Sequence, residues 1–211
     1  PTFGYDICAR RISSQSNVAE RFDLSRWRTA GNGADMIRPD VMQNFVNAFA
    51  EAGFKASAFT PSYGLAEATL AVTVMPPGEG IRVELVEEER LSGARPNLDR
   101  PARYRAIVNC GKPLPQMEVE IRGENDDIKG DHQIGKVWCR GPSIMHSYFR
   151  NEEATRDCLI PSKDGGSAWL DTGDMGYMAN GYLFIVGRAK DMIIINGKNH
   201  WPQDIEWAVE Q

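Results

Sequence analysis

The chain has 211 residues, 42% of them hydrophobic and 25% charged, the balance of a globular protein with one large domain or two small ones. Its net charge of -5 and pI near 5.3 leave no broadly basic face, which excludes a nucleic-acid binder. The longest apolar stretch, Ala66 to Met75, is too short to span a bilayer and is broken by Glu67 and two threonines. No signal peptide is visible at Pro1, and a proline start leads to the expectation that the sequence lies inside a longer protein. Cys8, Cys110, Cys139 and Cys158 form no C-x-x-C pair, and His132, His146 and His200 have no metal-ligand spacing. These patterns read as free thiols in a reducing cytoplasm and no structural zinc.

In chain order, Phe3 to Arg11 is amphipathic and predicts a helix, and Gly31-Asn32-Gly33-Ala34 predicts a permissive turn. Pro39 opens a second helix, with Val41, Met42, Phe45, Val46 and Phe49 at helical spacing and Gly53 closing it. Lys55 to Phe59 predicts a short strand, Pro61-Ser62-Tyr63-Gly64 a turn, and Leu65 to Met75 a helix. Together these make a βα unit of an α/β sheet. Past Pro76-Pro77-Gly78 the pattern changes to period two over Ile81–Val86, Met117–Ile121 and Lys136–Cys139, an antiparallel signature. Glu87 to Arg105 is charged and reads as an excursion from that sheet. Asn151 caps a helix to Asp157, Gly181–Val186 and Asp191–Asn196 are strands, and Asp204 to Val209 begins a helix. The expected fold class is α/β plus an antiparallel β-subdomain.

Three stretches carry chemistry. In Pro61-Ser62-Tyr63-Gly64-Leu65-Ala66-Glu67, a strand–turn–helix would aim backbone N–H groups at a phosphate, with an aromatic to stack on a base and a carboxylate for Mg²⁺. A core tyrosine and a helix-start glutamate would explain the same residues. In Trp169-Leu170-Asp171-Thr172-Gly173-Asp174, two aspartates flank a Thr-Gly turn, and one could accept both hydroxyls of a ribose; an Asx turn between strands is the plain alternative. In Gly187-Arg188-Ala189-Lys190-Asp191, followed by Gly197 through Pro202 to Glu206, a guanidinium could face a sugar or phosphate, or the segment could be a solvated β-turn.

In this order the three resemble the adenylate-forming superfamily of acyl-CoA synthetases, luciferases and peptide-synthetase adenylation domains. Gly135 to Trp138 and Gly141 to Tyr148 resemble a further strand segment of that family. Tyr63 to Leu70, Leu183 to Asp191 and Asn199 to Glu206 look most like the fatty acyl-AMP ligases, and Gly31-Asn32-Gly33-Ala34-Asp35 resembles their Asn-Gly-Ala-Glu-Pro stretch. The resemblance implies residues 1–78 in an α/β adenylate-binding part. It places 79–187 in a barrel-like β-subdomain with an insertion at about 79–105, and makes 188–211 the hinge and the start of a C-terminal domain. In that family the insertion is thought to restrain the C-terminal domain and disfavour transfer to CoA.

The resemblance also implies site roles. Tyr63 would stack on adenine, Asn32, Gly33 and Ala34 would line its edge, and Gly64 and Leu65 would wall the acyl carboxylate. Glu67 would be the catalytic ligand of Mg²⁺, Asp174 would hold the ribose with Arg188 beside it, and Lys190 would be the hinge. Ala66 replaces a phosphate-touching threonine of many relatives, and Asp35-Met36 replaces Glu-Pro. The phosphate-gripping loop is expected before Pro1 and the catalytic lysine beyond Gln211, so the 211 residues alone are expected to be inactive. The implied reaction joins a fatty acid to the AMP of ATP, with an acyl carrier protein as acceptor. The alternatives are a synthetase using CoA or a non-catalytic adenylate-binding module. Asp174 is expected to be a free carboxylate facing a cleft, so that Asp174→Ala weakens nucleotide binding at least about tenfold while leaving folding little changed.

Overall fold

A computed structural model describes residues 1–13, 17–93, 101–195 and 198–209. Helices α1 (Thr2–Ser13) and α2 (Val18–Arg21) precede strand β1 (Ala30–Asn32) and helix α3 (Pro39–Phe49). Pro39 stands in the first turn of α3, where the missing N–H costs nothing, and Gly53 takes the φ of 83° that turns the chain back. Val41, Met42, Phe45 and Phe49 of α3 are buried, and Met42, Phe45 and Phe49 pack with Phe54, Phe59, Ala9 and Ile12 into one core.

The next stretch departs from the expected strand–turn–helix. Residues Ala56–Ala58 make a 3₁₀ turn, and strand β2 is Phe59–Tyr63, so the strand lies where the sequence pattern placed the turn. Beyond it only Ala66–Ala68 is helical, as a single 3₁₀ turn, and the rest of the expected Leu65–Met75 helix contains strand β3 (Thr73–Val74). The reason is local. Thr69 and Leu70 take φ values of 58° and 114°, which reverse the chain, and Ala71-Val72-Thr73-Val74 is richer in β-branched residues than a helix favours. Val72, Thr73 and Met75 are fully buried only because β3 returns antiparallel beside β2. Gly31 and Asn32, expected in a turn, instead extend β1, which runs parallel to β2 with Ala30 opposite Phe59.

The antiparallel expectation for Ile81 to Val186 holds. Strand β4 (Val83–Glu87), helix α4 (Glu88–Leu91) and strand β5 (Tyr104–Val108) follow, with β4 and β5 paired. The centre of the expected charged excursion, 94–100, lies outside the described residues. Strand β6 (Lys112–Pro113) completes the first sheet in the order β1-β2-β3-β6. Strands β7 (Glu118–Arg122) and β8 (Gly135–Arg140), helix α5 (Glu152–Cys158), and strands β9 (Leu159–Ile160), β10 (Trp169–Ala179) and β11 (Tyr182–Arg188) come next. These strands form the second sheet, β11-β10-β8-β7, with β9 also on β10. Asn151 caps α5 by accepting from the Ala154 N–H at 3.1 Å. Asn180 and Gly181, with φ of 52° and 78°, make the tight turn that joins β10 to β11.

The Thr-Gly segment is not a turn between strands, as the sequence suggested, but an irregularity inside β10, whose pairing with β8 shifts register between Asp171 and Met175. After β11, Ala189–Asp191 makes a 3₁₀ turn, strands β12 (Ile193–Ile195) and β13 (Lys198–His200) pair, and helix α6 (Pro202–Val209) follows. Asn196, expected to end β12, and Gly197 of the following motif lie outside the described residues. Among the described residues no helix is long and apolar enough to cross a membrane.

Candidate nucleotide-binding site

Three elements deliver three side chains to one point. Tyr63 ends β2, Asp174 leaves the β10 irregularity, and Arg188 ends β11 directly across the ladder from Asp174. The irregularity is built by its own side chains. The Thr172 hydroxyl donates to the Val137 carbonyl at 2.8 Å and accepts from the Asp174 N–H at 3.1 Å. Gly173, with φ of 74°, donates its N–H to Asp171 Oδ1 at 3.0 Å. Asp171 therefore takes the Asx role that the sequence left open for either aspartate, and Asp174 is released from it.

Asp174 is not the free carboxylate expected. It is 8% exposed; its Oδ2 accepts from the Tyr63 hydroxyl at 2.6 Å and its Oδ1 from Arg188 Nε at 3.2 Å. Burial, and then the neighbouring Asp174 charge, raise the Tyr63 phenol well above its ordinary range, so Tyr63 remains a neutral donor. The carboxylate keeps acceptor capacity, since each oxygen has two lone-pair directions.

These groups line a cavity of about 380 Å³, within the range of small-ligand sites. Ala34, Asp35, Met36 and Ile37 form one part of its wall, Ser62, Tyr63, Gly64 and Leu65 another. Ala106, Val108 and Cys110 from β5 and its continuation, Ile185 and Gly187 from β11, and Gln203 from α6 complete it. Sequence reading singled out none of this last group as site residues. The β5 and β11 residues are apolar wall positions whose side is set by strand register, and Gln203 reaches the cavity only through the docking of α6.

Of the other expected site residues, Asn32 and Gly33 stand behind the wall. Asn32 is fully buried and its Nδ2 contacts Met42 Sδ at 3.1 Å. A Cβ on Gly33 would stand 2.7 Å from the Ser62 carbonyl oxygen, so glycine lets this loop cross β2. Gly64 is still tighter, its Cβ position lying 1.5 Å from the Leu70 carbonyl oxygen. Lys190 is exposed in the 3₁₀ turn after β11, away from the cavity wall.

Glu67 also stands off the cavity wall. Its Oε1 accepts from the Tyr148 hydroxyl at 2.5 Å, and this bond, ahead of burial, raises the Tyr148 phenol. The segment is stapled to the 143–148 loop twice more, by Met145 N–H to the Glu67 carbonyl at 2.7 Å and Thr69 Oγ1 to the Ser143 carbonyl at 2.8 Å. In the sequence Tyr148 stands only at the end of a family-like segment, and its hold on a carboxylate 81 residues away has no sequence signal. Among the described residues no group of three His, Cys, Asp or Glu side chains can hold a metal alone. Mg²⁺ is suited by one carboxylate shared with substrate phosphates, and Glu67 offers a single carboxylate whose Oε1 already accepts from Tyr148.

The model of the AMP-binding enzyme family matches residues 1–149. The chain belongs to the AMP-binding enzyme family. It is 46% identical over 213 aligned residues to a putative acyl-CoA synthetase of Caulobacter vibrioides, covering all of this chain and 36% of the relative. It is 39% identical over 218 to a medium-chain-fatty-acid–[acyl-carrier-protein] ligase of Moorena producens, covering all of this chain and 36% of that protein. A structure from work on fatty acyl-adenylate ligases of E. coli and L. pneumophila superposes with a TM-score of 0.86 at 38% identity, over 100% of this chain and 38% of the other. The L. pneumophila fatty acyl-adenylate ligase in complex with acyl adenylate and pyrophosphate gives 0.78 at 36%, over 100% and 37%. The chain thus spans little more than a third of the length of these relatives. The mixed α/β layer with antiparallel sheets is part of the adenylate-forming enzyme fold.

Proposed function

We propose that the protein activates a fatty acid with ATP to an acyl-adenylate, and that these residues form the nucleotide side of its active site. The observation that carries the reading is the convergence of Tyr63, Asp174 and Arg188 on one cavity. Asp174 accepts the ribose hydroxyls through its remaining lone pairs, the Tyr63 ring offers its face to adenine, and Arg188 balances the carboxylate charge. Ala34 borders the base, with Asn32 and Gly33 shaping that loop from behind; Gly64 and Leu65 wall the acyl carboxylate, and Glu67 is the ligand for Mg²⁺. The ion supplies neutralisation of phosphate charge when bound. In the reaction a carboxylate oxygen bonds to the α-phosphorus and the bond to pyrophosphate breaks, so catalysis is positioning and charge stabilisation. Lys190 serves as the hinge between this step and acyl transfer.

For the acceptor we propose the phosphopantetheine thiol of an acyl carrier protein. The support is that the 79–105 insertion touches the segment beyond the hinge. The Leu91 carbonyl accepts from Trp201 Nε1 at 3.3 Å and the Ser92 carbonyl from the Asn199 N–H at 3.1 Å. Those contacts oppose rotation of that segment. Transfer to CoA is the second reading, favoured by the name of the Caulobacter vibrioides relative. The test is fatty-acid-dependent ATP–pyrophosphate exchange by the full-length protein that contains these residues, followed by transfer to CoA or to a holo-acyl carrier protein. Exchange, transfer to the carrier alone, and CoA transfer gained on deleting 79–105 are the expected results. No exchange with any fatty acid refutes the activity, and efficient CoA transfer by the undeleted protein refutes the acceptor.

A further inference from the structure

The backbone of Glu67 is fixed from two sides. It belongs to the 3₁₀ turn that follows the cavity residues Gly64 and Leu65, where the Ala68 and Leu70 N–H groups donate to the Leu65 carbonyl at 3.1 and 3.2 Å. The staples from Met145 and Ser143 hold the same turn from outside. A fixed backbone still leaves the side-chain torsions of a half-buried glutamate to be set by its own contacts. The Tyr148 hydroxyl supplies that contact, and it engages Oε1 alone; Oε2 accepts no hydrogen bond among the described residues.

Tyr148 is itself firmly mounted. Its N–H donates to Thr155 Oγ1 at 2.9 Å, and that hydroxyl donates to the Asn151 carbonyl at 2.7 Å. Asn151 also caps α5, so the tyrosine is tied to the start of a capped helix. A phenol suits the task because it is a neutral donor: it orients a carboxylate without cancelling the charge that a cation needs.

We infer that Tyr148 is a positioning residue of the nucleotide site, which fixes the Glu67 carboxylate through Oε1 and leaves Oε2 to the Mg²⁺ of the bound nucleotide. This rests on the reading of Glu67 as the ligand for Mg²⁺. Two effects oppose each other. The donated hydrogen bond draws electron density from the carboxylate and weakens it as a ligand. The fixed orientation spares the ordering of a flexible side chain when the ion binds. Removing the hydrogen-bond partner of a metal ligand typically lowers metal affinity about 10–100-fold, so orientation is the larger effect.

The test is calorimetric titration of the full-length protein that contains these residues with α,β-methylene-ATP, which cannot release pyrophosphate, in excess Mg²⁺ and again in EDTA. The readout is the factor by which Mg²⁺ improves nucleotide affinity; because it is taken within each protein, a general loss of affinity cancels. Tyr148→Phe keeps the ring, and the half-buried carboxylate left behind can take a water, so the variant folds. It is expected to reduce the Mg²⁺ factor about tenfold, or to abolish a smaller one. Thr69→Ala removes a staple between the same two segments without touching the carboxylate, and is expected to leave the factor unchanged. Glu67→Gln is the reference, expected to remove most of the Mg²⁺ effect. A factor that falls in Glu67→Gln but survives in Tyr148→Phe overturns the role of Tyr148 alone, as do equal losses in Tyr148→Phe and Thr69→Ala. A factor that survives in Glu67→Gln, or is absent from the parent protein, overturns the reading of Glu67 and this inference with it. Failure of the parent protein to bind the nucleotide at all overturns the nucleotide reading itself.

Discussion

Replacing Asp174 by alanine tests whether its carboxylate is a structural acceptor as well as a ligand group. The substitution leaves the hydroxyl of Tyr63, a residue only 9% exposed, without its acceptor at 2.6 Å. An orphaned buried donor costs about 1–3 kcal/mol. The lost pair with Arg188 adds little, because that side chain is 52% exposed and such pairs contribute about 0–1 kcal/mol. The expected loss of stability is therefore about 2 kcal/mol, against the negligible change that a free cleft carboxylate would give. Tyr63→Phe should partly rescue the variant, since removing both partners leaves no donor stranded, giving a coupling of about 1–2 kcal/mol. Urea unfolding of the parent, both single variants and the double variant measures each term. Titration with an acyl-AMP analogue should show a parallel loss of at least about tenfold in affinity for Asp174→Ala. A folded Asp174→Ala protein within about 0.5 kcal/mol of the parent, with strictly additive effects, would refute the coupled reading.

Two further outcomes follow from packing. Gly64→Ala forces a Cβ onto a backbone carbonyl 1.5 Å away, so it should destabilise by about 3 kcal/mol or abolish folding. Gly187→Ala meets the Trp201 ring first, at 2.5 Å, and should leave a folded protein with faster amide exchange confined to the start of α6; equal global loss in both variants would contradict this. Burial pushes the Cys110 and Cys139 thiols up to about 12, so at pH 8 iodoacetamide should modify exposed Cys8 first and leave those two intact in the native protein. Peptide mapping showing early labelling of Cys110 or Cys139 would contradict their placement.

Much of the molecule was legible in the chain itself. The α3 stripe from Val41 to Phe49, the period-two runs, the Asn151 cap and the Asn180-Gly181 turn are local signals, each decided by residues within a turn or two of one another. The motif residues Tyr63, Asp174 and Arg188 were legible as a group, because their types and order match a nucleotide-binding pattern. Leu65 to Met75 misled because its apolar residues fit a helix, while the reversal at Thr69 and Leu70 depends on the Gly64 approach to Leu70 and on burial beside β2. Which aspartate caps the β10 irregularity, and which meets Tyr63, depends on a register shift against β8 that no local pattern encodes. The holds of Tyr148 on Glu67 and of Trp201 on Gly187 join residues 81 and 14 positions apart in the chain. The sequence by itself determined the elements and the chemical types available to the site, because those follow from short-range sterics and composition. Only the tertiary structure decided which polar groups satisfy one another and which are left for a ligand, because that depends on distances set by packing between elements far apart in the chain.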